Sequence, residues 1–183
     1  IHEVLDAKAG SYKLQYPYRG EHRSSIIMND LTGDGVEEAL VLYQGLSETG
    51  ITVMFIGKQQ GEWVELGSYT SQATQVDQVC FGDVNSDGRD EAIIGWGNVV
   101  NSASDICVYS LQNGSVSEIS LNLPYSEMVV MDFDGDGGDE IFTASITSAE
   151  QQASARLIRI RGGVPETMGT ASLDATVSYY IGV

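Results

Sequence analysis

The chain has 183 residues, 42% of them apolar and 21 of them glycine, enough to bury a sizeable core and a composition that leans towards β structure. Its net charge of −17 argues against nucleic-acid phosphates and anionic membrane surfaces as partners. No run of about 18 apolar residues is present to serve as a transmembrane segment.

Ile1, Val4 and Leu5 recur at helical spacing and Gly10 is a helix stop, so a short helix is predicted over residues 1–9. Tyr12-Lys13-Leu14-Gln15-Tyr16-Pro17 then alternates like an edge strand bounded by Pro17 and Gly20. The chain opens without a leader pattern, and the expectation is that any export signal or lipid-anchoring cysteine lies upstream.

From residue 24 the pattern is of short β-rich runs, predicted at 24–29, 38–44, 51–58 and 63–70, then from 76 with later strands at 106–111 and 116–121. A third set follows, its later strands at 155–161 and 166–171. Gln60-Gly61, Asn113-Gly114 and Gly162-Gly163 are two-residue links suited to tight hairpins, because their central residues tolerate positive φ.

Between the first two strands of each set lies an acidic loop: Asp30-Leu31-Thr32-Gly33-Asp34-Gly35-Val36-Glu37-Glu38, Asp83-Val84-Asn85-Ser86-Asp87-Gly88-Arg89-Asp90-Glu91 and Asp132-Phe133-Asp134-Gly135-Asp136-Gly137-Gly138-Asp139-Glu140. Three copies at about fifty-residue spacing define a repeat whose unit is one supersecondary element. Acids at alternate positions and a glycine turn fold oxygens inward, as a hard divalent cation requires. An EF-hand is excluded: position 12 is Val41, Ile94 or Thr143 in place of glutamate, and strands flank the loop where helices would be needed. Metal-free Asp/Gly-rich hairpin turns are the alternative reading.

Strand, D-x-[DN]-x-D-G-x-x-[DE], strand at this spacing resembles the FG-GAP or VCBS repeats of integrin-α-like β-propellers, over roughly residues 24–183. The leading helix and the Leu14-Gln15-Tyr16-Pro17 segment are similar to those that precede such repeats in Gram-positive surface lipoproteins. The resemblance implies an all-β fold of four-stranded antiparallel blades: about three (24–72, 76–122 and 126–173), the start of a fourth (175–183) and an N-terminal extension over 1–22. It also implies up to three Ca²⁺ ions, held by the side chains of Asp30, Thr32, Asp34 and Glu38; of Asp83, Asn85, Asp87 and Glu91; and of Asp132, Asp134, Asp136 and Glu140. Position 7 (Val36, Arg89 and Gly138) would add a backbone carbonyl. Thr32 replaces the usual acid or amide, so the first site is expected to bind most weakly and the third, with four acids, most tightly.

Ten of the 26 acidic residues fall in these ligand sets, and three Ca²⁺ would bring −17 to about −11. Glu37, Asp90 and Asp139 at position 8 are extra acids, read as solvated or supporting groups. Cys80 and Cys107 fall on the first and third strands of one blade, which favours free thiols. Meander topology puts the three acidic loops at one end, and the links at 45–50, 98–105 and 147–154 at the other. A further repeat would reach its acidic loop at about residue 181–185, so the remaining blades are expected from a longer chain or another copy.

His2 and His22 stand in no nucleophile motif, and no phosphate loop, HExxH or CxxC occurs, so the chain is not read as an enzyme. The expected function is an extracellular or cell-surface binding or scaffold module with structural Ca²⁺ and a protein or glycan ligand. One alternative is a carbohydrate-recognition or polysaccharide-processing accessory domain, which would expose an aromatic such as Trp96 or Tyr43 at a pocket. The other is the non-catalytic part of a larger secreted enzyme.

Overall fold

The computed structural model describes residues 1–97, 104–112, 114–147 and 152–173. They form a helix, α1 (His2–Ala9), followed by thirteen strands: β1 (Tyr12–Leu14), β2 (Ile26–Asn29), β3 (Glu38–Gly45), β4 (Ile51–Gln59), β5 (Glu62–Ser71), β6 (Gln75–Gly82), β7 (Glu91–Gly97), β8 (Ser104–Gln112), β9 (Ser115–Ser120), β10 (Glu127–Met131), β11 (Glu140–Thr147), β12 (Gln152–Arg161) and β13 (Val164–Leu173). Three antiparallel sheets result. The first runs β3-β4-β5 with β1 and β2 both on the free edge of β3; the second is β6-β7-β8-β9 and the third β10-β11-β12-β13. Among the described residues no helix is long and apolar enough to cross a membrane. The expected strand at 175–183 lies outside the described residues, as do most of the links at 98–105 and 147–154.

Strand alternation explains the stacking, because each inner strand is apolar on both faces and must be covered twice. On β3, Leu40 and Leu42 meet the second sheet at Val79, Ala92 and Ile94. Its other face, Ala39, Val41 and Tyr43, is covered by Leu5 and Val4 of α1. On the second sheet, Ile93, Ile106 and Val108 meet Met128, Ile141 and Ile158 of the third. The order is therefore helix, sheet, sheet, sheet, with a core in each gap. Cys80 and Cys107 are free, and one packs into each of two different cores across the second sheet.

The three loops differ in burial at their second residue. Position 2 is Leu31, 1% exposed between the first and second sheets, and Val84, 1% exposed between the second and third. The equivalent Phe133 is 42% exposed and touches the Phe142 ring of its own sheet (5.9 Å between centroids). Likewise Ile27 is 5% exposed and its counterpart Val129 is 44% exposed. Among the described residues, the outer face of the third sheet is left uncovered at Phe133 and Val129, whereas Leu31, Val84 and Ile27 of the first two sheets are buried.

β1 and β2 are one strand interrupted. Tyr12 to Leu14 pair with Gly45 to Tyr43, and Ile26 to Asn29 take up the pairing at Val41 to Glu38. The excursion at residues 16–24 crosses to the second sheet, where the Tyr18 and Arg19 amides donate to the Val76 and Asp77 carbonyls (both 2.9 Å). There the Arg19 guanidinium forks onto Asp77 (Nη2 to Oδ2, 2.8 Å), reaches Glu127 of the third sheet (2.6 Å) and lies 5.7 Å from the centre of the Tyr125 ring. The Tyr125 hydroxyl donates to Asp77 Oδ2 (2.6 Å). Gly95 makes room for it, since a Cβ there would fall on the Tyr125 hydroxyl.

The outer hairpins match their turn residues. Gln60-Gly61 (φ 54° and 88°) and Gly162-Gly163 (φ 59° and 79°) are left-handed at both central positions, the type I′ geometry that suits strand twist.

Candidate metal centre

Each acidic loop leaves the first strand of its sheet and enters the second, and all three lie at one end of the stack, in contact. Asn29 Nδ2 donates to Asp90 Oδ2 (3.0 Å), and the Asp83 amide donates to Asp139 Oδ2 (3.0 Å) while the Asp139 amide donates back to the Asp83 carbonyl (2.9 Å). Position 8, read from sequence as a solvated or supporting acid, is thus a latch onto the preceding loop at Asp90 and Asp139. Glu37, the position-8 acid of the first loop, is exposed. Gly82 lets the second latch close, because a Cβ there would lie 2.6 Å from Asp139 Oδ2.

Inside each loop the leading aspartate organises the backbone. Asp132 accepts from the amides of Gly135 (2.7 Å), Asp136 (3.2 Å) and Gly137 (3.0 Å). Asp30 does the same for Gly33, Asp34 and Gly35, and Asp83 for Asp87 and Gly88. Positions 4 and 6 must both be left-handed to aim those amides inward, and position 4 is filled by Gly33, Ser86 and Gly135 (φ 70°, 60° and 78°).

In the third loop, carboxylate oxygens of Asp132, Asp134 and Asp136 lie within 4.8 Å of one another, all three side chains exposed. Three like charges this close repel strongly unless a cation sits among them. The expected fourth ligand is placed elsewhere: Glu140 is buried, accepts the Phe133 amide (3.0 Å) and is not one of the converging group. Glu38 is buried likewise and accepts the amides of Leu31 (3.0 Å) and Thr32 (3.2 Å). Position 9 opens the inner strand, which buries it under the loop. Burial raises the Glu38 carboxyl above its ordinary range, and pushes that of Glu91 up to about 8 with Asp87 adding to the effect.

The other predicted ligands differ by loop. In the first, Asp34 Oδ1 accepts the Val36 amide (2.8 Å). In the third, Asp136 Oδ1 accepts the Gly138 amide (2.9 Å). In the second, Asn85 Nδ2 donates to Glu91 Oε1 (2.6 Å), and Asp87 is held by Arg89 and by Gln112 Nε2 (3.0 Å). Arg89 keeps the Asp87 carboxyl below the usual carboxylate range.

Oxygen-only donors suit a hard cation, and the Asp132, Asp134 and Asp136 cluster of the third loop could hold one. The Thr32 hydroxyl, a predicted ligand of the first loop, lies close to the Glu38 carboxylate, which it helps to stabilise. Sequence reasoning passed over the position-2 residues and the latches. Their signal was present, since Leu31, Val84 and Phe133 are apolar inside otherwise polar loops.

At the opposite end a cleft of about 360 Å³ between the first two sheets is lined by Ser71, Ala73, Trp96, Asp105, Cys107 and Glu118. Trp96 and Tyr43 are both buried, Tyr43 under α1, so neither offers a ring to solvent as a sugar platform would. Burial pushes the Cys107 thiol up to about 12, helped by Asp105 and Glu118. His22 stands edge-on to Phe81 (5.0 Å).

No protein-family model matches the chain, and no curated protein matches it.

Proposed function

We propose that the three sheets are successive blades of a calcium-stabilised β-propeller module of the FG-GAP/VCBS kind, acting outside the cell or at its surface as a binding or scaffold domain. The observation that carries this reading is the convergence of Asp132, Asp134 and Asp136 at the tip of a sheet, in a loop that recurs at the same end of two others. A bound Ca²⁺ would be held in the third loop by those three carboxylates, and in the first by Asp30, Thr32 and Asp34. Its role is structural: it cancels repulsion between packed carboxylates and pins the hairpin that starts each blade. The bare outer face of the third sheet is the seat for a further blade, from a longer chain or another copy, and a protein or glycan ligand would be displayed on the assembled scaffold.

Thermal unfolding in EDTA and then in rising Ca²⁺, with Mg²⁺ as control, tests the metal reading. Saturation to about a hundred times Kd stabilises a single site by about 2.7 kcal/mol. At about 2–4 °C per kcal/mol for a chain of this size, the midpoint should rise by about 5–10 °C. Asp136→Asn should remove most of the rise. A midpoint indifferent to both ions makes the loops plain turns and removes the basis of the proposal.

A further inference from the structure

We infer that Arg89 is the cation of the second loop, so that this loop keeps its shape with no metal ion while the third loop takes one. The contrast between loops rests on the calcium reading above, but the role of Arg89 does not.

The three loops share one backbone scheme, so position 7 can be compared directly. In the first and third loops the backbone amide of residue 7 (Val36 and Gly138) donates to the position-5 aspartate, and the side chain carries no charge. In the second loop the side chain of residue 7 does this work: Arg89 Nε donates to Asp87 Oδ1 (3.1 Å) and Nη2 to Asp87 Oδ2 (2.7 Å). Gln112 adds a third side-chain donor to Oδ2 (3.0 Å). Both oxygens of Asp87 are therefore occupied by a bidentate fork, the strongest arrangement a guanidinium makes with a carboxylate.

The other predicted ligands are spoken for as well. Asn85 Nδ2 is bonded to Glu91 Oε1, which ties positions 3 and 9 to each other. The carboxylates of Asp83 and Asp87 do not gather with a third as Asp132, Asp134 and Asp136 do. A divalent ion would have to displace Arg89 and Gln112 and then lie within a few ångströms of the displaced guanidinium, where like charges repel. Arg89 is also wedged against the first loop, since a Cβ on Gly33 would come within 2.9 Å of its Cγ. The affinity order read from ligand counts, with the first loop weakest, is accordingly revised: the second loop is the one without an ion.

Native mass spectrometry of bound Ca²⁺ and thermal unfolding in EDTA, on the wild-type chain, Arg89→Ala, Arg89→Lys, Asp87→Asn and Asp136→Asn, test this together. Asp87→Asn should leave the ion count unchanged and Asp136→Asn should lower it by one. In EDTA, Arg89→Ala should lower the midpoint by about 2–4 °C. In Ca²⁺ it should recover the loss and bind one ion more than wild type. Arg89→Lys, which keeps the charge, should bind no extra ion. Loss of an ion in Asp87→Asn, or an unchanged EDTA midpoint in Arg89→Ala, overturns the inference. If no variant binds Ca²⁺, the calcium reading fails; an EDTA midpoint lowered in Arg89→Ala and not restored by Ca²⁺ would still uphold Arg89 as the loop's own cation.

Discussion

Alanine at the second position of each loop gives three substitutions whose costs are set by the size of the side chain removed and by what covers it. Leu31→Ala empties a site that is 1% exposed between two sheets, and such truncations cost about 2–5 kcal/mol. Val84 is as deeply buried but loses only two methyl groups, so about 2 kcal/mol is expected. Phe133 is 42% exposed and packs on the Phe142 ring of its own sheet, so its removal should cost about 1 kcal/mol or less, although it is the largest of the three. Urea unfolding followed by tryptophan fluorescence, at fixed Ca²⁺ and again in EDTA, reads the order. With m near 2 kcal/mol/M, Leu31→Ala should move the midpoint by about 1–2.5 M and Phe133→Ala by about 0.5 M at most. A Phe133→Ala cost equal to that of Leu31→Ala would refute the assignment of the third sheet's outer face as bare. Were that cost to grow with protein concentration, a second copy would be the cover.

Leu5 is fully buried against the first sheet, so Leu5→Asp should undock α1, lower stability by about 3–5 kcal/mol and raise ANS fluorescence as Ala39, Val41 and Met54 are exposed. Cys107, its thiol pushed up to about 12, should resist DTNB at pH 8 and react only once urea unfolds the chain. The same raised value means that its contribution to stability is complete below about pH 9 and is lost as pH rises towards 12, a slope that Cys107→Ala should flatten. Gly95→Ala places a methyl group on the Tyr125 hydroxyl, and the destabilisation seen by thermal unfolding should be partly relieved by adding Tyr125→Phe.

Strand positions and hairpin turns were legible because they depend on neighbours in sequence: short apolar, β-rich runs over β3, β7 and β11, and paired left-handed residues at Gln60-Gly61 and Gly162-Gly163. The aspartate triad was legible for the same reason, since Asp132, Asp134 and Asp136 converge within a single turn. Spacing could not tell whether the glutamate at position 9 turns to an ion or to the loop's own amides. In the structure, burial at the head of an inner strand brings one carboxylate oxygen of Glu38 and of Glu140 to backbone donors. For Asp90 and Asp139 the sequence left solvated and supporting roles open, because their partners, Asn29 and Asp83, lie on the neighbouring sheet 61 and 56 residues away. The sequence marks residues 1–9 as a helix but does not reveal that α1 fills, for the first sheet, the place that each later sheet gives to its predecessor.

The Arg19 clamp has a consequence for the order in which the chain assembles. Its two carboxylate partners lie 58 and 108 residues further along. During synthesis the first sheet can pair as soon as β5 has emerged, but the excursion at 16–24 has nothing to dock on until β6 exists, and no second carboxylate until Glu127 follows. Contacts so distant in sequence are slow to close and form after local hairpins. One of the first segments made is therefore among the last to be fixed, and a chain halted before residue 127 would carry a finished first sheet with its clamp half closed.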